Sequence, residues 1–420
     1  MSSTPLPLTA ALALALALGS HSASAPVAAW VQMTTTGSEV RIVTAAPSCP
    51  PIGVDGVSRP TTERAPPTAS FPNRVCAAPL RADDRRVVAG GLSLRAPRPR
   101  PDRIVIVGDS GCRMKGGVYQ SCGDASAWPF PRIAALAAAR KPDLVIHLGD
   151  YYYRENSCPA WAANACADSP YGDRWATWKA EVFDPATPLL AAAPWVFARG
   201  NHETCDRGGG GWSRMLDAGP KASGCIPHSA TFAVDLGDVI LWVVDSSEIG
   251  DFLPSRADTA AFAARVAPVL DAARPVRGWI VTHKPPWNPS RFGDLVADGQ
   301  VNATERAALK GRDLSAVELV MSGHVHNFSS VSFREARPAQ LVVGTGGDVL
   351  DMQDTPPPTT GSTDIDGLPA DVFTMGRFGY FVLDRHGADW IGHFYDLRDK
   401  AAAACVLRRR DLACRSVKPG

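Results

Sequence analysis

Residues 144–153 read Leu-Val-Ile-His-Leu-Gly-Asp-Tyr-Tyr-Tyr, an apolar run followed at once by a glycine and a carboxylate. Uninterrupted apolar runs of this length are typical of β-strands that are buried on both faces. Similar runs begin at residues 104, 195, 239, 279, 318 and 341. Ala-rich stretches at residues 131–140 and 260–273 predict helices between some of them. Strands that alternate with helices predict an α/β fold, with helices covering a parallel or mixed sheet.

The segments on either side of this core have a different composition. Residues 26–100 are rich in Pro, Thr, Ala and Arg, and they predict a small Pro-rich β segment that ends in an extended linker. Near the other end, residues 378–395 alternate around a turn and predict a β-hairpin. We therefore predict four parts. They are a signal peptide at 1–25, the N-terminal segment and linker at 26–100, the main domain at 101–398 and a C-terminal tail at 399–420.

Charge and the N-terminus restrict the possible partners and the compartment. The chain has 43 Lys and Arg against 42 Asp and Glu, so nucleic acid and anionic membranes are not expected as main partners. The first 25 residues carry no charged side chain, and the Ala/Leu run at residues 8–18 is too short to span a bilayer. We predict an exported protein, secreted or periplasmic, with no membrane span. The sequence does not indicate an oligomeric state.

The ten cysteines agree with export, because an even number in an exported chain favours disulfides. Many pairings are possible, and we favour the sequential one. It joins Cys49 to Cys76, Cys112 to Cys122, Cys158 to Cys166, Cys205 to Cys225 and Cys405 to Cys414. A cysteine zinc site is the alternative, but the sequence contains no C-x-x-C spacing to favour it.

Side chains that can bind metals follow five of the predicted strands. They are Asp109, Asp150 with Tyr153, Asn201 with His202, His283, and His324 with His326. In open α/β sheets, ligands bind at the carboxyl ends of the strands. A single aspartate after a strand is more often a turn former, but core packing gives no reason for five strand ends to carry metal donors. His147 lies inside a strand, so we expect it to be a core histidine.

The donors fall into two chemical sets. One set supplies hard anionic oxygens, which suit a trivalent ion. Its members are Asp109, Asp150 and Tyr153. The other set supplies neutral oxygen and nitrogen donors, which suit Zn²⁺, Fe²⁺ or Mn²⁺. Its members are Asn201, His283 and His324. A carboxylate can bridge two metals that lie about 3.5–4 Å apart, the arrangement used for in-line displacement at phosphorus.

Five ordered motifs resemble those of the calcineurin-like metallophosphoesterases. They are Gly108-Asp109-x-Gly111, Gly149-Asp150-x-x-Tyr153, Gly200-Asn201-His202-Glu203, His283 after a strand, and Gly323-His324-x-His326. The tyrosine three residues after the second aspartate resembles the purple acid phosphatase branch in particular. The resemblance covers about residues 103–396. It implies a metallophosphoesterase-like mixed β-sheet sandwich that is flanked by helices.

The resemblance also implies a centre of two metal ions. A ferric-type ion would be held by Asp109, Asp150, Tyr153 and His326. A Zn, Mn or Fe(II) ion would be held by Asn201, His283 and His324, with Asp150 bridging the two. The catalytic residues would be Asp150 and His202. Attack by a metal-bound hydroxide is implied, with His202, oriented by Glu203, contacting the phosphate of the substrate or protonating the leaving group.

Four further side chains follow ligand positions closely. They are Arg113, Lys115, Lys284 and Trp287. They either line a substrate pocket, to which Arg113 and Lys284 would contribute charge, or form a solvated rim, which is the interpretation we favour. Three of the expected disulfides also begin within five residues of a predicted ligand, at Cys112, Cys158 and Cys205. We expect them to hold the loops that shape the site.

The favoured function is a secreted phosphoesterase that acts on small phosphomonoesters. A phosphodiesterase or nucleotidase with the same metals is an alternative, as is an enzyme similar to alkaline phosphatase D, which residues 147–155 resemble. An alternative from another class is a secreted binding protein with an inactive site.

Overall fold

The computed structural model describes residues 27–220, 224–271, 277–292, 295–299, 301–335, 337–351 and 358–417. The predicted signal peptide lies outside the described residues. Within these ranges, no helix combines the length and the apolar character that are needed to cross a bilayer.

Strands make up most of the regular structure. In chain order they are β1 (Ala28–Thr34), β2 (Gly37–Thr44), β3 (Ile52–Val54), β4 (Val57–Arg59), β5 (Thr62–Ala65), β6 (Arg74–Leu80), β7 (Arg86–Ala89), β8 (Leu92–Arg95), β9 (Arg103–Val107), β10 (Met114–Lys115), β11 (Val118–Tyr119), β12 (Leu144–His147), β13 (Trp195–Phe197), β14 (Phe232–Asp235), β15 (Val239–Val243), β16 (Arg277–Val281), β17 (Pro289–Phe292), β18 (Leu295–Asp298), β19 (Val317–Ser322), β20 (Phe328–Phe333), β21 (Ala339–Val343), β22 (Thr359–Ile365), β23 (Leu368–Met375), β24 (Gly379–His386), β25 (Asp389–Asp396), β26 (Ala401–Arg408) and β27 (Asp411–Ser416).

The helices connect these strands. They are α1 (Phe130–Ala139), α2 (Ala163–Cys166), α3 (Trp175–Trp178), α4 (Asp184–Ala192), α5 (Gly209–Met215), α6 (Arg256–Leu270) and α7 (Ala303–Leu309). A π-helical turn at Lys179–Phe183 joins α3 to α4, and a 3₁₀ turn at Asn201–Glu203 follows β13.

Two large mixed sheets form the body of the protein. The first has eleven strands in the order β27-β26-β25-β24-β9-β12-β13-β1-β2-β6-β5, and the second has eight in the order β14-β15-β16-β19-β21-β20-β23-β22. At the centre of each sheet the pairing is parallel, from β9 through β12 to β13 and from β15 through β16 and β19 to β21. Parallel neighbours bring their carboxyl ends to one edge of the sheet.

The core explains why the strand sequences are apolar throughout. Alternate residues of β9 and β12, such as Ile106 and Ile146, pack with Trp279 and Met321 of the second sheet. The residues between them, such as Val145, pack in a second cluster with side chains of α1 and α4. A third cluster joins the outer face of the second sheet to α6 and α7. The result is a sheet sandwich with helices on both outer faces, as predicted.

The strand and helix predictions are largely confirmed. All seven apolar runs are strands, the helices predicted at 131–140 and 260–273 are α1 and α6, and the predicted hairpin is formed by β24 and β25. The first sheet runs through the segments that the sequence divides at residues 100 and 398, since β1 pairs with β13 and β26 pairs with β25. The domain boundaries stay predictions.

The C-terminal segment is more ordered than a tail. It forms the antiparallel hairpin of β26 and β27 at one edge of the first sheet. The basic run at residues 408–410 lies at its turn, where Arg408 and Arg409 are exposed and Arg410 Nε donates a hydrogen bond to Val317 O at 3.0 Å.

All five disulfides follow the sequential pairing that we favoured. No described cysteine is free. Disulfides persist in oxidising compartments, so this number suggests an extracellular or otherwise oxidising location.

Candidate metal centre

The predicted ligands come from the edges at which the parallel strands of both sheets end. Asp109, Asp150 and Asn201 follow β9, β12 and β13 of the first sheet. His283 follows β16, and His324 with His326 follows β19, both in the second sheet. Because the two sheets pack face to face, these edges meet, and the side chains converge from loops that are up to 217 residues apart in the sequence (109 to 326).

The first cluster is centred on the phenol of Tyr153. Its Oη lies 2.8 Å from Asp150 Oδ2, 2.9 Å from His326 Nε2 and 3.3 Å from Asp109 Oδ1. His326 Nε2 is itself 3.4 Å from Asp109 Oδ1. Four potential metal-binding atoms, Tyr153 Oη, Asp150 Oδ2, His326 Nε2 and Asp109 Oδ1, thus lie close together.

The second cluster shares the same carboxylate oxygen. His283 Nε2 lies 3.2 Å from Asp150 Oδ2 and 3.0 Å from Asn201 Oδ1, and His324 Nδ1 lies 2.9 Å from Asn201 Oδ1. Ligand atoms of Asp150, His283 and His324 all lie within 4.8 Å of one another. The structure therefore brings all seven predicted ligands together, in two groups that meet at Asp150 Oδ2.

The outer nitrogens of the three histidines indicate which tautomer each adopts. His283 Nδ1 is 2.8 Å from Leu148 O and His326 Nδ1 is 2.7 Å from Val349 O, so these nitrogens carry the protons. His324 Nε2 faces Asp251 Oδ2 at 3.4 Å. In the neutral form of these tautomers, each inner nitrogen presents a lone pair to the neighbouring oxygens. Facing lone pairs repel unless a cation lies between them, so the donor set fits bound metal ions.

The buried carboxylates of the centre also favour positive charge nearby. Burial alone would lower the pKa of His283, but the Asp150 carboxylate raises it to about 9. Burial is likewise outweighed at His326, where Asp348 and Asp109 raise the pKa to about 10. Burial raises the pKa of Asp109. Without a metal, the carboxylates draw protons onto the histidines, and a bound cation would replace them.

Backbone geometry shows how closely the ligand loops approach one another. Asp109, Asp150 and His324 all have positive φ, at 55°, 57° and 68°, a left-handed conformation that costs free energy and clusters at functional sites. A Cβ on Gly200 would come within 2.1 Å of Asp150 Oδ1, and one on Gly323 within 2.3 Å of Asp109 Oδ2. These two motif glycines are needed because no side chain fits beside the carboxylates.

Two buried glutamates hold the loops that carry the ligands. The Glu203 carboxylate accepts hydrogen bonds from the backbone N–H groups of Gly200, Asp150, Tyr151 and Tyr152, at 2.8–3.0 Å. Glu203 was expected to orient His202, and the structure corrects this, since its oxygens bind backbone amides instead. Burial raises its pKa to about 8.

The second glutamate, Glu181, was not identified from the sequence. Its Oε1 accepts from Cys112 N at 2.7 Å and Tyr153 N at 3.0 Å, so it joins the two loops that follow β9 and β12. Burial raises its pKa to about 7. The available signal was a single acid within the aromatic segment 175–183, which forms part of a π-helical turn, a feature found often at functional sites.

His202 lies beside the shared carboxylate. Its Nε2 is 3.8 Å from Asp150 Oδ2, and its ring lies 3.8 Å from the Tyr153 ring between centroids. The carboxylate at its outer side is that of Glu155, whose Oε1 is 2.7 Å from His202 Nδ1. Burial lowers the pKa of His202 to about 4. Glu155 was missed because it follows Tyr153 without belonging to any ligand motif.

The other candidate residues occupy different environments. Arg113 binds both carboxylate oxygens of Asp348, at 2.9 and 2.5 Å, behind His326. Lys284 Nζ lies 2.7 Å from Asp251 Oδ1 and is buried, and Trp287 is also buried. The interpretation of a solvated rim is thus wrong for Lys284 and Trp287. His147 is buried with Nε2 2.9 Å from Ser110 Oγ, which confirms a core histidine.

A cleft of about 370 Å³ opens beside the second cluster. His324 and Asp251 are among its lining residues, and Phe252 and Val325 contribute apolar surface. Its volume lies in the range typical of small-molecule sites.

A model of the calcineurin-like phosphoesterase family matches residues 102–328. The chain belongs to this family. The matched range runs from just before β9 to the first residue of β20, so it contains all seven of the gathered side chains. Calcineurin-like phosphoesterases are in general metal-dependent hydrolases with two metal ions. No curated protein sequence matches the chain.

Two solved structures share the fold at low sequence identity. The purple acid phosphatase PPD1 from yellow lupin (Lupinus luteus) seeds is 15% identical, with a TM-score of 0.56 over 93% of this chain and 74% of the other. PhoD is 12% identical, with a TM-score of 0.58 over 94% of this chain and 93% of the other. At these identities the likeness concerns the fold alone, and it confirms the predicted metallophosphoesterase fold.

Asp251 gives a test of the tautomer argument. The Asp251→Asn variant should weaken binding of the metal at the second cluster by about 10- to 100-fold, because His324 loses the carboxylate that fixes its outer nitrogen. Metal affinity measured by chelator competition checks this. The exposed Asp83→Asn variant is the control, and equal affinity in both variants would contradict the role of Asp251.

Two disulfides with similar spacing separate stability from site geometry. Cys112–Cys122 encloses a separation of 10 residues next to Asp109, and Cys405–Cys414 encloses 9 at the sheet edge. Removing either pair by alanine substitution should lower the free energy of unfolding by about 2–3 kcal/mol. We expect only the first double variant to lose metal or change substrate preference, measured by metal analysis and KM. Unchanged kinetics with a collapsed melting temperature would contradict this.

Proposed function

We propose that this protein is an exported phosphoesterase that hydrolyses small phosphomonoesters at a centre of two metal ions. The observation that carries the proposal is the position of Asp150 Oδ2, which lies within 3.2 Å of donors from both clusters. A shared carboxylate between two donor sets is what two neighbouring metals require. Family membership supports the reaction class, and the seven filled ligand positions speak against an inactive binding protein.

The first cluster supports an iron assignment in the manner of the purple acid phosphatases. Asp109, Asp150 and Tyr153 offer anionic oxygens, together with His326, and such a set suits Fe(III). Burial and the neighbouring carboxylates raise the pKa of Tyr153 well above its usual range, so the phenol needs a strong Lewis acid to lose its proton. The second cluster, with its neutral donors, suits Zn, Mn or Fe(II).

The side chains around the two ions have distinct roles in the proposed reaction. When bound, the metals activate a water molecule and neutralise charge on the phosphoryl oxygens. Asp150 would hold both ions, and its Oδ1 accepts a hydrogen bond from His202 N at 2.9 Å. The negative charge of a bound phosphate would favour the imidazolium form of His202, whose Nε2 would then donate to a phosphoryl oxygen. Glu155 Oε1, 2.7 Å from His202 Nδ1, would accept a hydrogen bond from Nδ1 and so position the ring.

The cleft beside His324 provides space for the alcohol part of the substrate. Its apolar surface at Phe252 and Val325 suits an organic leaving group. The alternative substrates are phosphodiesters and nucleotides. Comparing turnover of 4-nitrophenyl phosphate and bis(4-nitrophenyl) phosphate separates the monoesterase from the diesterase.

Export is part of the proposal. The five disulfides support an oxidising compartment, and the apolar run at residues 8–18 supports a signal peptide. N-terminal sequencing of the protein from a secreting host tests cleavage near residue 25.

Asp150 gives the direct test of the metal pair. The Asp150→Asn variant should lose at least one of the two ions and about 100-fold or more in kcat, because the amide cannot bridge two cations. Metal analysis of the purified protein and turnover of 4-nitrophenyl phosphate are the measurements. The exposed Asp364→Asn variant is the control. Two retained ions with full turnover in Asp150→Asn would refute the bridging role.

Tyr153 gives a test of the iron assignment. A phenolate bound to Fe(III) absorbs visible light, so the purified protein should be pink or purple, and the Tyr153→Phe variant should be colourless. The absorption spectrum, with iron quantified, is the measurement. Colourless, active wild-type protein that carries two zinc or manganese ions would remove the iron assignment and leave the reaction in place.

A further inference from the structure

Lys115 lies beside the candidate metal centre, next to His202. It belongs to the hairpin of β10 and β11, which follows Asp109 and is closed by the Cys112–Cys122 disulfide. Lys115 Nζ is 3.4 Å from His202 Nε2, the ring nitrogen that faces Asp150 Oδ2. The Lys115 side chain is 26% exposed, so its ammonium group is partly removed from water.

Lys115 differs from the other basic side chains described around the centre. Arg113 binds both oxygens of Asp348. Lys284 lies 2.7 Å from Asp251 Oδ1, and Arg207 Nε donates to Glu155 Oε1 at 2.9 Å. Each of these three cations thus lies within hydrogen-bonding distance of a carboxylate.

In the described part of the chain, the carboxylate oxygen nearest to Lys115 Nζ is Glu155 Oε1, at 3.8 Å. That oxygen already binds Arg207 and His202. The Glu155 carboxylate is therefore shared between Lys115 and Arg207, and Lys115 is the more distant of the two cations. A half-buried ammonium group in this position favours an anionic ligand.

The hairpin holds Lys115 in a fixed position relative to the ligands. Met114 N donates to Tyr153 O at 3.0 Å, and Asn156 N donates to Met114 O at 2.9 Å, so both backbone groups of Met114 in β10 are bound to the loop that carries Tyr153. The disulfide closes the base of the hairpin. Because the backbone is fixed, little conformational entropy beyond that of the lysine side chain is lost when an anion binds.

We propose that Lys115 binds a non-bridging phosphoryl oxygen of the substrate and thereby selects phosphomonoesters over phosphodiesters. This inference rests on the proposed function and assigns its substrate class. A monoester has three non-bridging oxygens and about two negative charges near neutral pH. A diester has two such oxygens and one negative charge. With two oxygens at the metal centre, only the monoester has a third charged oxygen for Lys115.

The test compares Lys115→Met, Lys115→Arg and the exposed control Lys400→Met, each with its metal content measured. In Lys115→Met, we expect the ratio of kcat/KM for 4-nitrophenyl phosphate to that for bis(4-nitrophenyl) phosphate to fall about tenfold, mainly through KM for the monoester. Lys115→Arg should restore part of the preference, because it restores the charge. Lys400→Met should match the wild type.

A second measurement does not depend on turnover. The Kd of inorganic phosphate, measured by calorimetry on metal-loaded protein, should rise about tenfold in Lys115→Met. If the wild type hydrolyses neither ester, the proposed function fails, and the phosphate titration still tests Lys115. An unchanged phosphate affinity in fully metal-loaded Lys115→Met would overturn the inference. So would an equal loss for both esters, because a selecting residue must distinguish them.

Discussion

The structure depends on one buried carboxylate, that of Asp150. An ionised carboxylate between two packed sheets carries a large desolvation cost, which must be offset by cations and hydrogen-bond donors. Its Oδ1 accepts a backbone hydrogen bond from His202, while Oδ2 faces Tyr153 on one side and His283 on the other. Burial raises the pKa of Asp150, but His283 and His202 lower it well below its usual range, so it stays ionised. A charged, shared oxygen is what permits two cations to sit side by side.

The fold supplies this arrangement through strand direction and through buried acids. Parallel strands in both sheets end at edges that meet, which places ligands from distant parts of the sequence around one point. Glu203 and Glu181 then accept hydrogen bonds from the backbone N–H groups of the loops, so the loops are held by two carboxylates outside the predicted ligand set. The same loops carry Lys115 and Glu155, which both lie close to the His202 ring. The packing of the loops therefore also sets the positions of the candidate site residues.

The sequence predicted which side chains converge, because each follows the end of an apolar run, and such ends meet in an α/β sheet. It predicted the residues that support them poorly. Glu155, Glu181 and Asp251 act through contacts with residues remote in the chain or through backbone amides, and no spacing rule identifies such partners. Glu203 belongs to a predicted motif, yet its function is to bind backbone. The N-terminal strands show the same limit, since the composition predicts a small β segment without indicating that β1 pairs with β13.

Anomalous diffraction from crystals of the purified wild-type protein tests the central claim most directly. We expect two metal peaks about 3.5–4 Å apart. Asp150 Oδ2 should lie between them, with Tyr153 bound to one metal and Asn201 bound to the other. A single peak, or metal bound away from Asp150, would contradict it.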